Sequence, residues 1–229
     1  MPTPLRQSIA VPSLACLFLC STTVSLADES PGGGALLVDG ISILSGGPTA
    51  NESDAVPLLL SDIEFESVLI LTARMGPAGL SHPPSGDDWV KARRRATLIR
   101  LLAGQARHFH ETADPDMKRQ LLSQVIDDVG GEEALGKLMA RFGMMHSDLD
   151  RWIENAVLAL TQIRYMKDQV ELPSRRDVEA KALAEEGRFP DSPSEREQYR
   201  RMVLEEKTNE QIQKWLEETS KRGHIRMVR

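Results

Sequence analysis

SDLDRWIENAVLALTQIRYMKDQV, residues Ser147 to Val170, is the stretch that decides the fold class of this chain. Its apolar side chains Leu149, Ile153, Ala156, Leu160, Ile163, Met166 and Val170 follow one another at steps of three or four, the spacing of one face of a long amphipathic helix. Ser147 is placed to cap its first turn, and Pro173, which lacks an N–H and clashes with the preceding turn, ends it.

The same pattern extends on both sides. Downstream, Ser174 caps a shorter helix to about Glu186, residues 187–193 form a loop, and a last helix runs from Ser194 to Lys221. Its apolar clusters, Tyr199, Met202 and Val203, then Ile212, Trp215 and Leu216, are separated by the polar residues 205–210, so its two ends are expected to pack against different surroundings. Upstream, Glu132 to Phe142 is helical and stops at Gly143. Asp114-Pro115 opens another helix that ends at Gly130-Gly131, and Asp87 to about Phe109 reads as a further one. Ser61-Asp-Ile-Glu64 has the form of a capping box, and the helix it starts reaches the breaker Gly76-Pro77. Residues 76–86, with three prolines, read as a loop.

Three segments depart from helical spacing. Ala35 to Leu44 and Val56 to Leu60 read as short strands around a polar loop from Ser45 to Ala55, with Pro57 confining the second to an edge. His224 to Val228 alternates as a half-buried strand does. Lone strands are unstable, so the economical expectation is a mainly α, multi-helix module with a small β-sheet formed by the N-terminal hairpin and the C-terminal strand.

The N-terminus carries Arg6, an apolar stretch from Ile9 to Leu19 and the small-residue ending Ser25-Leu26-Ala27. This order predicts a cleavable signal peptide over residues 1–27, cut near Ala27, and a linker over 28–34. As a membrane anchor the run is interrupted by Pro12 and shorter than the ~20 apolar residues that a spanning helix needs. Cys16 and Cys20 both fall in it, so cleavage leaves no thiol for a disulfide, a thiolate metal site or a cysteine nucleophile. Lipid attachment would use one of them, but Leu19 before Cys20 is bulky and Cys16 comes early. About 200 remaining residues suffice for one domain with a real core. The net charge of −6 argues against a nucleic-acid partner. Arg93-Arg94-Arg95 is the one dense basic run, and it reads as a solvated helix face.

Catalytic patterns fail on inspection. Gly131 to Lys137 has phosphate-loop spacing, yet Leu138 stands where a hydroxyl should hold magnesium, no strand precedes it, and Glu132 and Glu133 would repel phosphate. His108 and His110, two apart on a helix, point to different faces, which favours surface histidines over a metal pair. His82, His146 and His224 are isolated. No cofactor, metal site or small-molecule substrate is expected, and the chain is not expected to be an enzyme. Met139, Met144, Met145 and Met166 gather with Phe142, Trp152 and Tyr165 around one helix junction. Such residues fill irregular core gaps, or else form a soft surface that re-packs around varied apolar ligands.

The order of elements is similar to a known family. Leu58-Leu-Leu-Ser-Asp-Ile-Glu64, Gly130-Gly-Glu-Glu-Ala-Leu-Gly-Lys-Leu138, Phe142-Gly-Met-Met145 and Asp148-Leu-Asp-Arg-Trp152 resemble the chaperone domain of SurA-type periplasmic folding factors. Glu206 to Leu216 with His224 to Val228 looks like that family's returning C-terminal helix and strand. The resemblance implies one chaperone domain over 35–229, with an N-terminal part at 35–172, a connector at 173–193 and the returning helix and strand at 194–229. Family members usually carry parvulin-type prolyl isomerase domains at the connector; such a domain needs roughly 90 residues, more than the spacing allows. What is implied is a periplasmic, ATP-independent holdase for unfolded outer-membrane or secreted polypeptides, associated peripherally with envelope assembly machinery. Its peptide-binding groove is expected at Met139, Phe142, Met144, Met145, Trp152 and Met166. The alternative is a dedicated interaction or scaffold protein of the cell envelope that uses the same fold, with residues 45–55 and 76–86 supplying specificity; a prolyl isomerase is disfavoured by length.

Overall fold

A computed structural model describes residues 41–45, 56–221 and 225–227. The expected signal peptide, the linker, most of the first strand and the loop at 45–55 lie outside the described residues, Ser45 apart. Most of the described residues are helical. In chain order the helices are α1 (Leu60–Met75), α2 (Gly86–His108), α3 (Pro115–Val129), α4 (Glu132–Arg141), α5 (His146–Gln169), α6 (Arg175–Glu186) and α7 (Pro193–Lys221).

The expectation of a small β-sheet as the second component of the fold is corrected to a helical fold, in which extended chain amounts to three short segments paired antiparallel. Among the described residues the strands are Ile41–Ser45, Val56–Leu59 and Ile225–Met227. These three to five residues meet edge to edge through the backbone, with an irregular register between Ile41 and Ile43. Leu58 lies in the core. Alternation in so short a segment marks extended chain without offering a face broad enough to make a packed layer, and the helices bury their own apolar stripes.

Local sequence explains the helix ends. Asp114 accepts from the backbone N–H of Asp116 at 2.8 Å with Pro115 in the first turn, and α3 stops at Gly130 in the left-handed region, φ 95°. Ser174 and Asp177 cap α6 reciprocally, and Gly187 closes it at φ 67°. A second reciprocal cap, unforeseen, starts α2: Asp88 N–H donates to Ser85 Oγ at 3.2 Å while Ser85 N–H donates to Asp88 Oδ2 at 2.9 Å. For α5 the capping acceptor is Asp148, which takes the Met145 N–H at 2.9 Å, where Ser147 was expected. The stretch read as a loop at 76–86 contains a 3-10 helix, Gly76–Ser81. Within it Gly79 lies against the backbone of α1, where a Cβ would come 2.5 Å from the Leu71 carbonyl carbon.

The described residues cluster into two compact units. The first comprises Ser61–Ala96 and Asp114–Ile153. Its core is built from Phe65, Leu71, Leu121, Val125, Val129 and Leu138. The second comprises Thr97–Ala113, Glu154–Arg229 and the described part of Val24–Leu60. There Ala103, Ala106 and Leu158 pack together with Ala113, and Val178, Ala182 and Tyr199 pack with Met202, joining α6 to α7.

Candidate functional site

The residues predicted to line a groove have three different fates. Met139, Trp152 and Met166 are buried at 5%, 9% and 6% exposure, and they serve as core. Met166 belongs to the second unit, the other five to the first. Phe142 and Met144 are half-buried, and Met145 stands 66% exposed. The last three follow the end of α4, where the Phe142 N–H reaches back to the carbonyls of Leu138 and Met139 and the Met144 N–H donates to Met139 at 2.9 Å. Gly143 makes that turn with φ 64°.

Beside this turn an open recess of about 450 Å³ is lined by Leu80, Ala134 and Leu138, with Gly130 at one side and Glu133, Lys137 and Arg141 around its rim. The Arg141 guanidinium donates to the Leu80 carbonyl at 3.2 Å and sits 5.4 Å from the centre of the Phe142 ring. It thereby ties the 3-10 turn to the end of α4 and covers one face of the aromatic. The recess thus has an apolar floor and charged rim groups that are exposed to water. Sequence reasoning missed Leu80, Ala134 and Leu138, because nothing in a run of residues says that a 3-10 turn more than fifty positions earlier will border α4.

Trp152 has a different role from the one expected. Its indole N–H donates to Glu66 Oε1 at 2.7 Å, and its ring meets Phe65 edge-on, with centroids 5.6 Å apart and planes at 83°. Glu66 is 1% exposed, and its other oxygen lies 3.0 Å from Arg95 Nε, in an orientation that makes the contact an ion pair more than an aligned hydrogen bond. Burial pushes the Glu66 carboxyl up from its ordinary value, and the Arg95 charge and the Trp152 N–H pull it back down. Arg95, expected on a solvated face with Arg93 and Arg94, is therefore corrected: it is 8% exposed and carries the charge that makes Glu66 tolerable there. Signals were present in Phe65-Glu66-Ser67-Val68-Leu69, where a carboxylate interrupts an apolar run.

Among the described residues no group of three metal-ligating side chains comes together, and no helix is long and apolar enough to cross a membrane. No family model, curated protein or solved structure matches the chain.

Proposed function

We propose that this protein is an exported, ATP-independent binder of unfolded envelope polypeptides, a holdase of the periplasm. The observation that carries the reading is the end of α4: Met145 in solvent, Phe142 and Met144 half in it, and Arg141, which covers the Phe142 ring, on the rim of a recess floored by Leu80, Ala134 and Leu138. Flexible thioethers and one aromatic beside an apolar hollow suit weak capture of varied apolar segments, which requires no nucleotide. Export is supported by the N-terminal sequence pattern, and the type of client by the resemblance to SurA-type factors. With Met139, Trp152 and Met166 in the core, the binding residues reduce to Phe142, Met144 and Met145 together with the recess.

Mature protein in several-fold excess is expected to suppress aggregation of an unfolded outer-membrane β-barrel. The Phe142→Ser, Met145→Ser double variant is expected to keep its helical spectrum and lose most of that suppression. Undiminished suppression by the folded double variant would refute this site. No suppression by the wild type would refute the function, and recovery of a single stoichiometric partner from envelope extract would favour the scaffold reading.

A further inference from the structure

The Glu66 cluster is used by nothing in the proposed binding activity, and it lies where an uncompensated charge is expensive. The groups around the carboxylate are few and named. Asp62 precedes it by one turn on α1 and adds negative potential; Arg95 comes from α2; Trp152 comes from α5. Asp128 of α3 and Arg95 line one cavity of about 20 Å³ with Trp152 and Gln124. Asp128 feels the Arg95 charge as well, and its own carboxyl is pushed up first by burial and then by its neighbour Asp127. One guanidinium is thus felt by two carboxylates, Glu66 fully buried and Asp128 partly so, and with both ionised these three groups carry a net charge of −1.

We propose that Glu66, Arg95, Asp128 and Trp152 form a proton-operated switch inside the first unit, in which protonation of Glu66 passes the Arg95 guanidinium to Asp128 and loosens the Trp152 anchor. The proton comes from solvent and adds to the Glu66 oxygen that faces Arg95. That oxygen then carries a hydrogen of its own and ceases to attract the Nε–H. The opposite oxygen loses its share of the anionic charge and becomes a weaker acceptor for the indole N–H, since charge-assisted hydrogen bonds are the stronger ones. Asp128 remains the anion nearest to Arg95 on the wall of their shared small cavity. Trp152 is the moving part that can be read, because its N–H bond ends on the Glu66 carboxylate while its ring lies edge-on to Phe65.

The test uses the full mature chain labelled with nitrogen-15, following the Trp152 indole N–H resonance, assigned by Trp152→Phe, from about pH 8 to about pH 4. We expect a single-proton transition in the folded protein with a midpoint above 4.5, the ordinary glutamate value. In Glu66→Gln the resonance should sit at its acid position throughout. In Asp128→Asn, where Arg95 has no second carboxylate to turn to, the midpoint should fall by at least about half a unit, roughly a threefold weaker proton affinity. A resonance that stays flat in the folded wild type overturns the switch, as does a titration that persists in folded Glu66→Gln. An unmoved midpoint in Asp128→Asn overturns the exchange of partners. Should Glu66→Gln fail to fold, the wild-type and Asp128→Asn titrations decide the matter between them.

Discussion

The Glu66–Arg95 pair of the first unit and the α6–α7 pairs of the second carry charge in opposite ways. In the first, Glu66 and Arg95 are paired at 1% and 9% side-chain exposure, with water excluded and burial as the dominant influence on the acid. In the second, the α6–α7 region is laced with pairs in reach of solvent: Lys181 with Glu185 and Glu206, Lys207 with Asp177 at 3.0 Å, and Arg188 with Glu195 at 2.8 Å. There hydrogen bonding sets the direction. Arg188 and the N–H groups of Asp191 and Ser192 hold the Glu195 carboxyl down at about 2. The same chemical pairing thus goes with opposite shifts, according to whether desolvation or hydrogen bonding is the larger influence; Asp88, buried beside Arg74 but bonded to the hydroxyl and N–H of Ser85, is held down. A buried pair costs desolvation that its attraction barely offsets, whereas an exposed pair costs little and gains little.

The largest way to break this contrast is Arg95→Met, which leaves Glu66 buried without its cation; we expect a loss of ~3–5 kcal/mol near neutral pH by denaturant unfolding. Because the folded Glu66 carboxyl is raised, the favourable contribution belongs to its protonated form. It is present at low pH and lost as pH rises through the folded value, so the deficit of Arg95→Met should shrink on acidification. A pH-independent deficit would show that the charge is compensated elsewhere. Next comes Gly79→Ala, whose Cβ meets the α1 backbone at Leu71 and Thr72; backbone cannot give way as a flexible side chain does, and ~1–3 kcal/mol is expected from thermal melts. Ser174→Ala removes the acceptor for the Asp177 N–H from an exposed cap and should cost about 1 kcal/mol. Smallest is Glu195→Gln, expected to leave the melting temperature nearly unchanged at physiological salt. The depressed Glu195 carboxyl works in the other sense from Glu66: its contribution is present above the ordinary value of 4.5 and is lost as pH falls toward about 2.

The helices were legible because their signals are local. Apolar spacing from Leu149 to Val170, the Asp114-Pro115 start and the Gly130 and Gly187 stops act within one or two turns of chain, and the structure places α5, α3 and α6 where those signals fall. The capping acceptors were harder: Asp148 works in place of Ser147, since both are suitable residues and only backbone geometry chooses between them. Extended segments were misjudged as a fold component because alternation reports backbone conformation and says nothing of whether a face exists to pack against. Of the candidate site, Phe142, Met144 and Met145 were legible as apolar residues just past a helix end. Met139 and Met166 look the same in sequence and turned out buried, for a thioether suits a core gap as well as a surface.

By itself, then, the sequence determined the helical class, the breaks between helices and the absence of thiols beyond residue 27, because these follow from side-chain type and near-neighbour spacing. Tertiary structure alone decided which charges are buried, which methionines face solvent, and that a turn at Leu80 meets the end of α4. Those outcomes depend on contacts between segments far apart in the chain, where Glu66 finds Trp152 eighty-six residues on, and whether water is excluded there fixes the energy of every polar group involved.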